Sequence, residues 1–408
     1  MADAAKIYLS KPGVICSAGT GIDAIWAACL AGDNSSSISR MTTATGKGFY
    51  AAMIADSELK PTGDRFEMRS LQIEQAALEQ IRPQVQAAIE RYGAGQIAVC
   101  VGSCDNGSQR STPAHRVNIE TGAFPAGYDI TVQTAGYPAL FAARYLGLAA
   151  EEGSPAAPVL GFATACSSSA SAIIKAAQLI KSGVCKAALA GGMDMVSDTV
   201  VLGFHSLEAV SPEKTNPFSK NRSGITLGDG AAFFLLTSEP LPGSEDIRLL
   251  GYGESSDASH MTAPKADGSG AAAAMTEALR RASLTPADID YINAHGTGTH
   301  LNDSMESRGI QAVFGDRALT VPVSSTKALM GHTLGAAGAM EAAVCYKAVA
   351  EGSRLLPVHI WDGQRDPELP ALHFVAKGEE AAKPARICMS NSFAFGGCNA
   401  CLIIGRPA

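Results

Sequence analysis

Aromatic side chains are scarce in this chain, 6% of residues with only 2 tryptophans among 408. Charge is scarce too, at 17%, and it leans acidic, for a net charge of −7. An acidic balance argues against nucleic acid as the main ligand, because phosphate backbones are bound by clustered Lys and Arg. No apolar run is long enough to span a bilayer, so no membrane insertion is expected. The opening residues Met1-Ala2-Asp3-Ala4-Ala5-Lys6 lack the basic-then-apolar pattern of a secretory leader. The expectation is a cytoplasmic protein whose 10 cysteines are thiols, not disulfides. Zinc-finger spacing is missing as well. Cys398 and Cys401 form an isolated CxxC, and Cys100 and Cys104 an isolated CxxxC. Neither has a second ligand pair, so no metal site is expected.

What is abundant is small and apolar. Hydrophobic residues make up 46% of the chain and there are 42 glycines. The length exceeds one simple core and suggests two. Ser70–Tyr92 has apolar residues at helical spacing, with a kink expected at Pro83. Gln96–Val101 reads as a buried strand, Gly102–Pro125 as a turn-rich loop and Thr134–Leu148 as a helix. A strand-like approach, Pro158–Phe162, enters a small-residue corner, and a helix runs from Cys166 to about Ser182. Strands follow at Ala187–Gly192 and Ala231–Thr237, and Pro240–Ser244 is the best break. It divides residues 1–245 from 246–408. The second part carries strands at Asp246–Tyr252, Tyr291–Ala294, Val321–Ser324, Ile387–Ser390 and Ala400–Ile404. Its helices are expected at Ala271–Ala282, Asn302–Phe314 and Leu334–Ala350, and Asn391–Gly397 reads as a turn.

The two parts rhyme. Strand, corner, small-residue helix and strand occur around Cys166 and again around Lys327–Ala350. Alternating strands and helices argue for α/β layers. Helices made of small residues all round belong in a buried layer between sheets. The expectation is a five-layer, pseudo-duplicated fold with one active site where the halves meet.

Cys166 sits where a strand turns into a helix. Unpaired N–H groups and the positive end of the helix dipole stabilise a thiolate there and lower the thiol pKa. The competing reading is a buried structural cysteine. His295 and His332 each lie in a glycine-rich loop directly after a strand. His205, His260, His359 and His373 have no such setting and read as core or surface residues. A cysteine with two histidines suits acyl transfer.

Four segments together resemble one family. They are Thr164-Ala165-Cys166-Ser167-Ser168, His295-Gly296-Thr297-Gly298-Thr299, Lys327 through Gly338, and Asn391-Ser392-Phe393-Ala394-Phe395-Gly396-Gly397. The likeness, which runs from Gly13-Val14 through Gly228-Asp229-Gly230 to the last strand, is to the β-ketoacyl-acyl carrier protein synthases, decarboxylating condensing enzymes. A second histidine at His332 resembles the elongating branch. The resemblance implies a thiolase-like αβαβα fold. It implies Cys166 as nucleophile, with the N–H groups of Cys166 and Phe395 as the oxyanion hole. His295 and His332 would bind the enolate oxygen formed when malonyl carrier protein loses CO2. Lys327 would pair with Glu306, and Asp303 in the same turn would be either a helix N-cap or first-turn acid, or part of the site. Thr297 and Thr299 would hold the pantetheine amides. Phe395 would gate the acyl pocket, with Gly396 beside it and Phe393 either beside it or a core aromatic.

No cofactor is implied beyond the 4′-phosphopantetheine that arrives on acyl carrier protein. The implied substrates are acyl- and malonyl-carrier protein. The implied assembly is a homodimer, or a heterodimer with a related subunit that sets chain length, in fatty acid or polyene and polyketide elongation. Two rivals share the fold: a non-catalytic chain-length-setting subunit, and a thiolase using coenzyme A. Lys60, Arg65 and Arg69 are candidates for carrier docking. The chain departs from the pattern at Ala394, Cys398, Ser219 and Ser223, where most relatives have Gly, Thr and, at the last two, often acids. Residues 105–135 match poorly.

Overall fold

A computed structural model describes residues 6–105, 107–148, 157–242 and 245–407. Met1–Ala5, on which the leader reading fell, and Gly243–Ser244 of the expected break lie outside them. The first half supplies strands β1 (Tyr8–Leu9), β2 (Gly13–Cys16), β3 (Ile97–Gly102), β4 (Val159–Phe162), β5 (Ala187–Asp194) and β6 (Gly230–Thr237). The second supplies β7 (Arg248–Ser256), β8 (Tyr291–Asn293), β9 (Pro322–Ser324), β10 (His373–Phe374), β11 (Ile387–Phe393) and β12 (Cys398–Gly405). Strands β3, β5 and β6 are buried along their whole length, which is why they read as unbroken apolar or small runs.

The duplication is visible in the hydrogen bonding. The first half is ordered β4-β3-β5-β6-β2, the first three parallel and the last two antiparallel to their neighbours. The second is ordered β9-β8-β11-β12-β7 with the same directions. With the short strand Gly19–Thr20 beside β2, the two halves share one hydrogen-bonded sheet of 13 strands among the described residues, where two separate sheets were expected. The join is β1, whose Tyr8 pairs with Thr237 of β6 on one side and Arg248 of β7 on the other.

Helices α1 (Arg69–Tyr92), α2 (Ser108–Thr121), α3 (Gly136–Tyr145), α4 (Ser168–Lys181), α5 (Ser269–Ala282), α6 (His300–Phe314) and α7 (Ala337–Glu351) complete the layers. Helices α4 and α7 pack together in a core between the two half-sheets. A second core lies under α1 and α3, and a third under α5 and α6. The result is the expected five layers. Closeness at the centre depends on Gly338: a Cβ there would stand 2.7 Å from the Ala170 Cβ and 2.8 Å from the Ala170 nitrogen. The Ala339 N–H donates to Ser169 Oγ at 2.9 Å across the same contact.

Each central helix is entered through a short 3-10 turn, Ala165–Ser167 before α4 and Leu334–Ala336 before α7. The first residue of each, Ala165 and Leu334, has φ 51. Left-handed backbone costs a non-glycine residue on the order of 1 kcal/mol, so both corners are held by their surroundings.

Some expected elements differ. Gly102–Pro125 is not a loop, because α2 occupies most of it. Only Ala114 of α2 is buried, so no apolar stripe marked it in the sequence. Helix α1 agrees with the expected Ser70–Tyr92 and carries Pro83 inside it. Strand β11 continues to Phe393 and shortens the turn after it to Ala394–Gly397. Helix α6 begins at His300 with Thr299 as its N-cap, so of the two helix-start readings Asp303 is the first-turn acid and not the cap.

Replacing Gly338 by Leu drives a side chain into the Ala170 backbone. Overpacking of this kind typically costs about 1–3 kcal/mol. A thermal melt of Gly338→Leu unchanged from wild type would contradict the close approach.

Candidate active site

The corner that carries Cys166 is pinned by its own serines. Ser168 Oγ donates to the Ala165 carbonyl at 2.6 Å and accepts the Thr164 N–H at 3.0 Å. Ser167 Oγ donates to the Thr164 carbonyl at 2.8 Å. Cys166 is left facing a cavity of about 280 Å³. His295, Thr297, Thr299, His332, Phe393, Phe395 and Gly396 line the same cavity. Leu207, Met261 and Leu301 also line it and are each more than half exposed, so they mark its open end.

The two imidazoles lie edge to face, ring centres 5.3 Å apart and planes at 87°. His332 Nδ1 accepts the Leu334 N–H at 3.2 Å, so the ring proton sits on Nε2. His295 Nδ1 lies 3.3 Å from Lys327 Nζ. An ammonium can only donate, which again leaves the proton on Nε2. Burial, aided by the Lys327 charge, holds both imidazoles well below the ordinary histidine range. Both are therefore neutral rings with an Nε2–H donor.

Lys327 is itself buried, and its ion-pair partner is Glu341 on α7. This corrects the expected pairing with Glu306. Glu306 instead accepts the N–H groups of His295 at 2.8 Å and Gly296 at 2.7 Å. Asp303, one turn earlier on α6, accepts those of Thr297 at 3.0 Å and Phe218 at 2.7 Å. The two carboxylates of α6 thus shape the His295 loop from behind and do not line the cavity. The Gly296 turn has φ 37, and a Cβ there would stand 2.6 Å from the Ser325 Cβ. Burial pushes Glu306 up to about 7 against the Gly296 and His295 N–H groups, and Glu341 up to about 7 against Lys327.

Sequence reasoning missed Glu341. A carboxylate in the small-residue, buried stretch that opens α7 was the available signal, since buried charges are normally paired. It also missed Asp194, at the end of β5. Asp194 accepts the N–H groups of Cys104 at 2.9 Å, Asp105 at 2.8 Å and Gly335 at 2.5 Å. It ties the first half to the α7 corner of the second.

Cys166 corrects a second expectation. Burial pushes its thiol up to about 12, and the Lys327 charge and the residue's own N–H only partly oppose this. The helix-terminus argument counted the favourable field and could not see the loss of water.

On the Ala394 turn, the Ala394 N–H donates to the Cys398 carbonyl and the Gly396 N–H to the Met261 carbonyl, at 2.9 and 2.6 Å. The Phe395 ring lies 5.5 Å from that of Phe204, and Phe393 lies 6.0 Å from His295. Ser219 Oγ donates to Asp362 at 2.8 Å and Arg222 pairs with Asp366 at 2.5 Å. The acids missing from that loop are thus supplied by residues 362–366. Of the docking candidates, Lys60 and Arg65 are exposed. Arg69 is not free, because it pairs with Asp56 and with the fully buried Asp229. Among the described residues no cluster of His, Cys, Asp and Glu could hold a metal ion, and no helix is long and apolar enough to cross a membrane.

Comparison with known proteins bears on this geometry. Residues 12–240 match the β-ketoacyl synthase N-terminal domain model and residues 247–359 the C-terminal one. The chain is 39% identical to Nodulation protein E of Rhizobium meliloti over 60% of its own length and 61% of that protein. It is 38% identical to 3-oxoacyl-[acyl-carrier-protein] synthase 2 of Rhizobium meliloti (strain 1021) over 60% of its length and 59% of that protein. In both, the aligned stretch is about three fifths of the relative. Among solved structures, the ketosynthase ApeO in complex with its chain length factor ApeC, from Xenorhabdus doucetiae, is similar with a TM-score of 0.87. That match has 39% identity and covers 98% of each chain.

With its thiol pushed up to about 12, Cys166 is protonated at neutral pH. Its alkylation by iodoacetamide, followed by peptide mass, should rise about tenfold per pH unit from 7 to 9 without levelling off. A plateau reached near pH 7 would show a thiolate already formed at rest.

Proposed function

The chain belongs to the β-ketoacyl synthase family, and from that premise we propose that it is a 3-oxoacyl-carrier-protein synthase working through an acyl thioester on Cys166. The observation that carries the reading is the pair of neutral imidazoles, His295 and His332, each with an Nε2–H, in one cavity with the thiol.

The steps follow from those groups. Cys166 Sγ adds to the thioester carbonyl of an acyl chain delivered on phosphopantetheine. The N–H groups of Cys166 and Phe395 take the oxyanion, each such donor being worth about 3 kcal/mol. The acyl group moves to Sγ, and the thiol proton leaves on the carrier's thiol. Malonyl carrier protein enters next, its pantetheine amides held by Thr297 and Thr299. Its carboxylate departs as CO2, and the electron pair passes to an enolate. The enolate oxygen is held by Nε2–H of His295 and of His332. Protonated imidazoles would bind the malonate carboxylate and oppose its loss, whereas neutral donors serve only the oxygen where charge develops. The enolate carbon then attacks the acyl thioester, a carbon–carbon bond forms, and Cys166 leaves as thiolate to be reprotonated from water.

The dimer partner is a related chain-length-setting subunit. One observation favours this over a second copy. The similar ketosynthase structure is a complex with its chain length factor. The poorly matching residues 105–135 also leave Ile119 83% and Ile130 60% exposed, which suits an interface with either kind of partner. A homogeneous homodimer in size-exclusion chromatography with full condensing activity would sink the heterodimer reading.

Incubated with a panel of acyl carrier proteins, the wild type should gain an acyl mass increment, and Cys166→Ala should gain none. His332→Ala should still acylate, while CO2 release from malonyl carrier protein falls about 10²–10³-fold, as on loss of one oxyanion donor. No increment and no CO2 from the wild type, with or without a partner subunit, would overturn the reading.

A further inference from the structure

His359 belongs to none of the steps above, yet its surroundings are those of an organising group. Only 3% of the residue is exposed. Its Nδ1 accepts the Ser325 N–H at 3.2 Å, and its Nε2 meets the Pro217 carbonyl at 3.2 Å. A carbonyl can only accept and an amide N–H can only donate. The proton is therefore fixed on Nε2, and the ring is a neutral bridge between two backbone segments. Phe374 stacks on it at 4.3 Å and 17°, with Trp361 at 5.5 Å and Phe218 at 6.0 Å. Burial pushes the imidazole down to about 3, so the acceptor at Nδ1 persists across the working range.

Both bridged segments lead to the cavity. Ser325 Oγ donates to the Gly296 carbonyl at 2.7 Å and accepts the Lys327 N–H at 3.3 Å. One hydroxyl thus spaces the loop of His295 from the turn of Lys327, and those side chains meet at Nδ1 and Nζ. On the other side Phe218 has φ 61, a strained conformation for an aromatic residue. Its N–H is held by Asp303, which also holds the Thr297 N–H. We propose that His359 is a positioning residue for the enolate site, acting through Ser325 to set the His295–Lys327 geometry. This rests on the condensing function proposed above.

The test uses His359→Leu, His359→Asn and His359→Gln, assayed with whatever partner subunit the wild type requires. The Asn amide reaches the Nδ1 position and can accept from Ser325, whereas the Gln amide reaches only the Nε2 position. In His359→Leu, kcat for CO2 release from malonyl carrier protein should fall at least tenfold, with KM within twofold and Cys166 acylation intact by mass. His359→Asn should recover most of kcat, and His359→Gln should not. Unchanged kcat in His359→Leu overturns the proposal. So does equal loss in the Asn and Gln variants at matched melting temperature, which marks a purely structural role and decides the matter even if the Leu variant fails to fold. A wild type that neither acylates nor releases CO2 sinks the condensing reading, and the inference with it.

Discussion

Lys327 carries its charge into a place almost without water. An unpaired buried cation costs several kcal/mol, so the site exists only because Glu341 reaches it from α7. The surroundings follow from that pair. The ammonium faces His295 Nδ1 and fixes which nitrogen holds the proton. Its field, added to burial, keeps both imidazoles neutral. The same field works on Cys166 and only softens the effect of burial there. One charge therefore acts on three reactive side chains, with burial at the two imidazoles and against it at the thiol, in each case favouring the less cationic or more anionic form.

The rest of the architecture keeps that charge and those rings in place with carboxylates that lie behind the cavity wall. Small residues let α4 and α7 approach, which brings Glu341 and the Cys166 corner to the same centre. The carboxylates of Glu306, Asp303 and Asp194 all point at backbone N–H groups, not at substrate. Each gathers several donors and locks a loop. Rigidity here comes from satisfied backbone, which suits a site whose donors must wait, correctly aimed, for charge that appears only during reaction.

Much of this was legible in the sequence, because the reactive residues sit in short local motifs whose order survives without knowledge of the fold. The alternation of strands and small-residue helices likewise announced the duplicated layers. What escaped was whatever depends on three dimensions. Three buried carboxylates lie near Lys327 in sequence, and only packing decides that Glu341 faces it. The terminus of α4 is visible at Cys166, but the loss of solvent is not. Helix α2 carries no apolar stripe, so its turn-rich composition prevailed. The single strand that joins the half-sheets is two residues long, below what periodicity can register. Ser219 and Ser223 suggested a loss of charge, because the acids that replace it arrive from a segment some 140 positions away in sequence.

The matched corners at Ala165 and Leu334 bear on how strain should be interpreted. A strained residue before a nucleophile invites the thought that the strain exists for the chemistry. Here the same conformation recurs at Leu334, where the position after it is Gly335 and no reactive group follows. The bend is thus a joint of the architecture, present at the entry to each central helix. Catalysis occupies one joint. The other is closed off by Asp194, whose carboxylate fills the place a side chain at Gly335 would take. One joint carries the reactive sulfur, while its twin clamps the two halves together, so the molecule spends the same bend once on reactivity and once on cohesion.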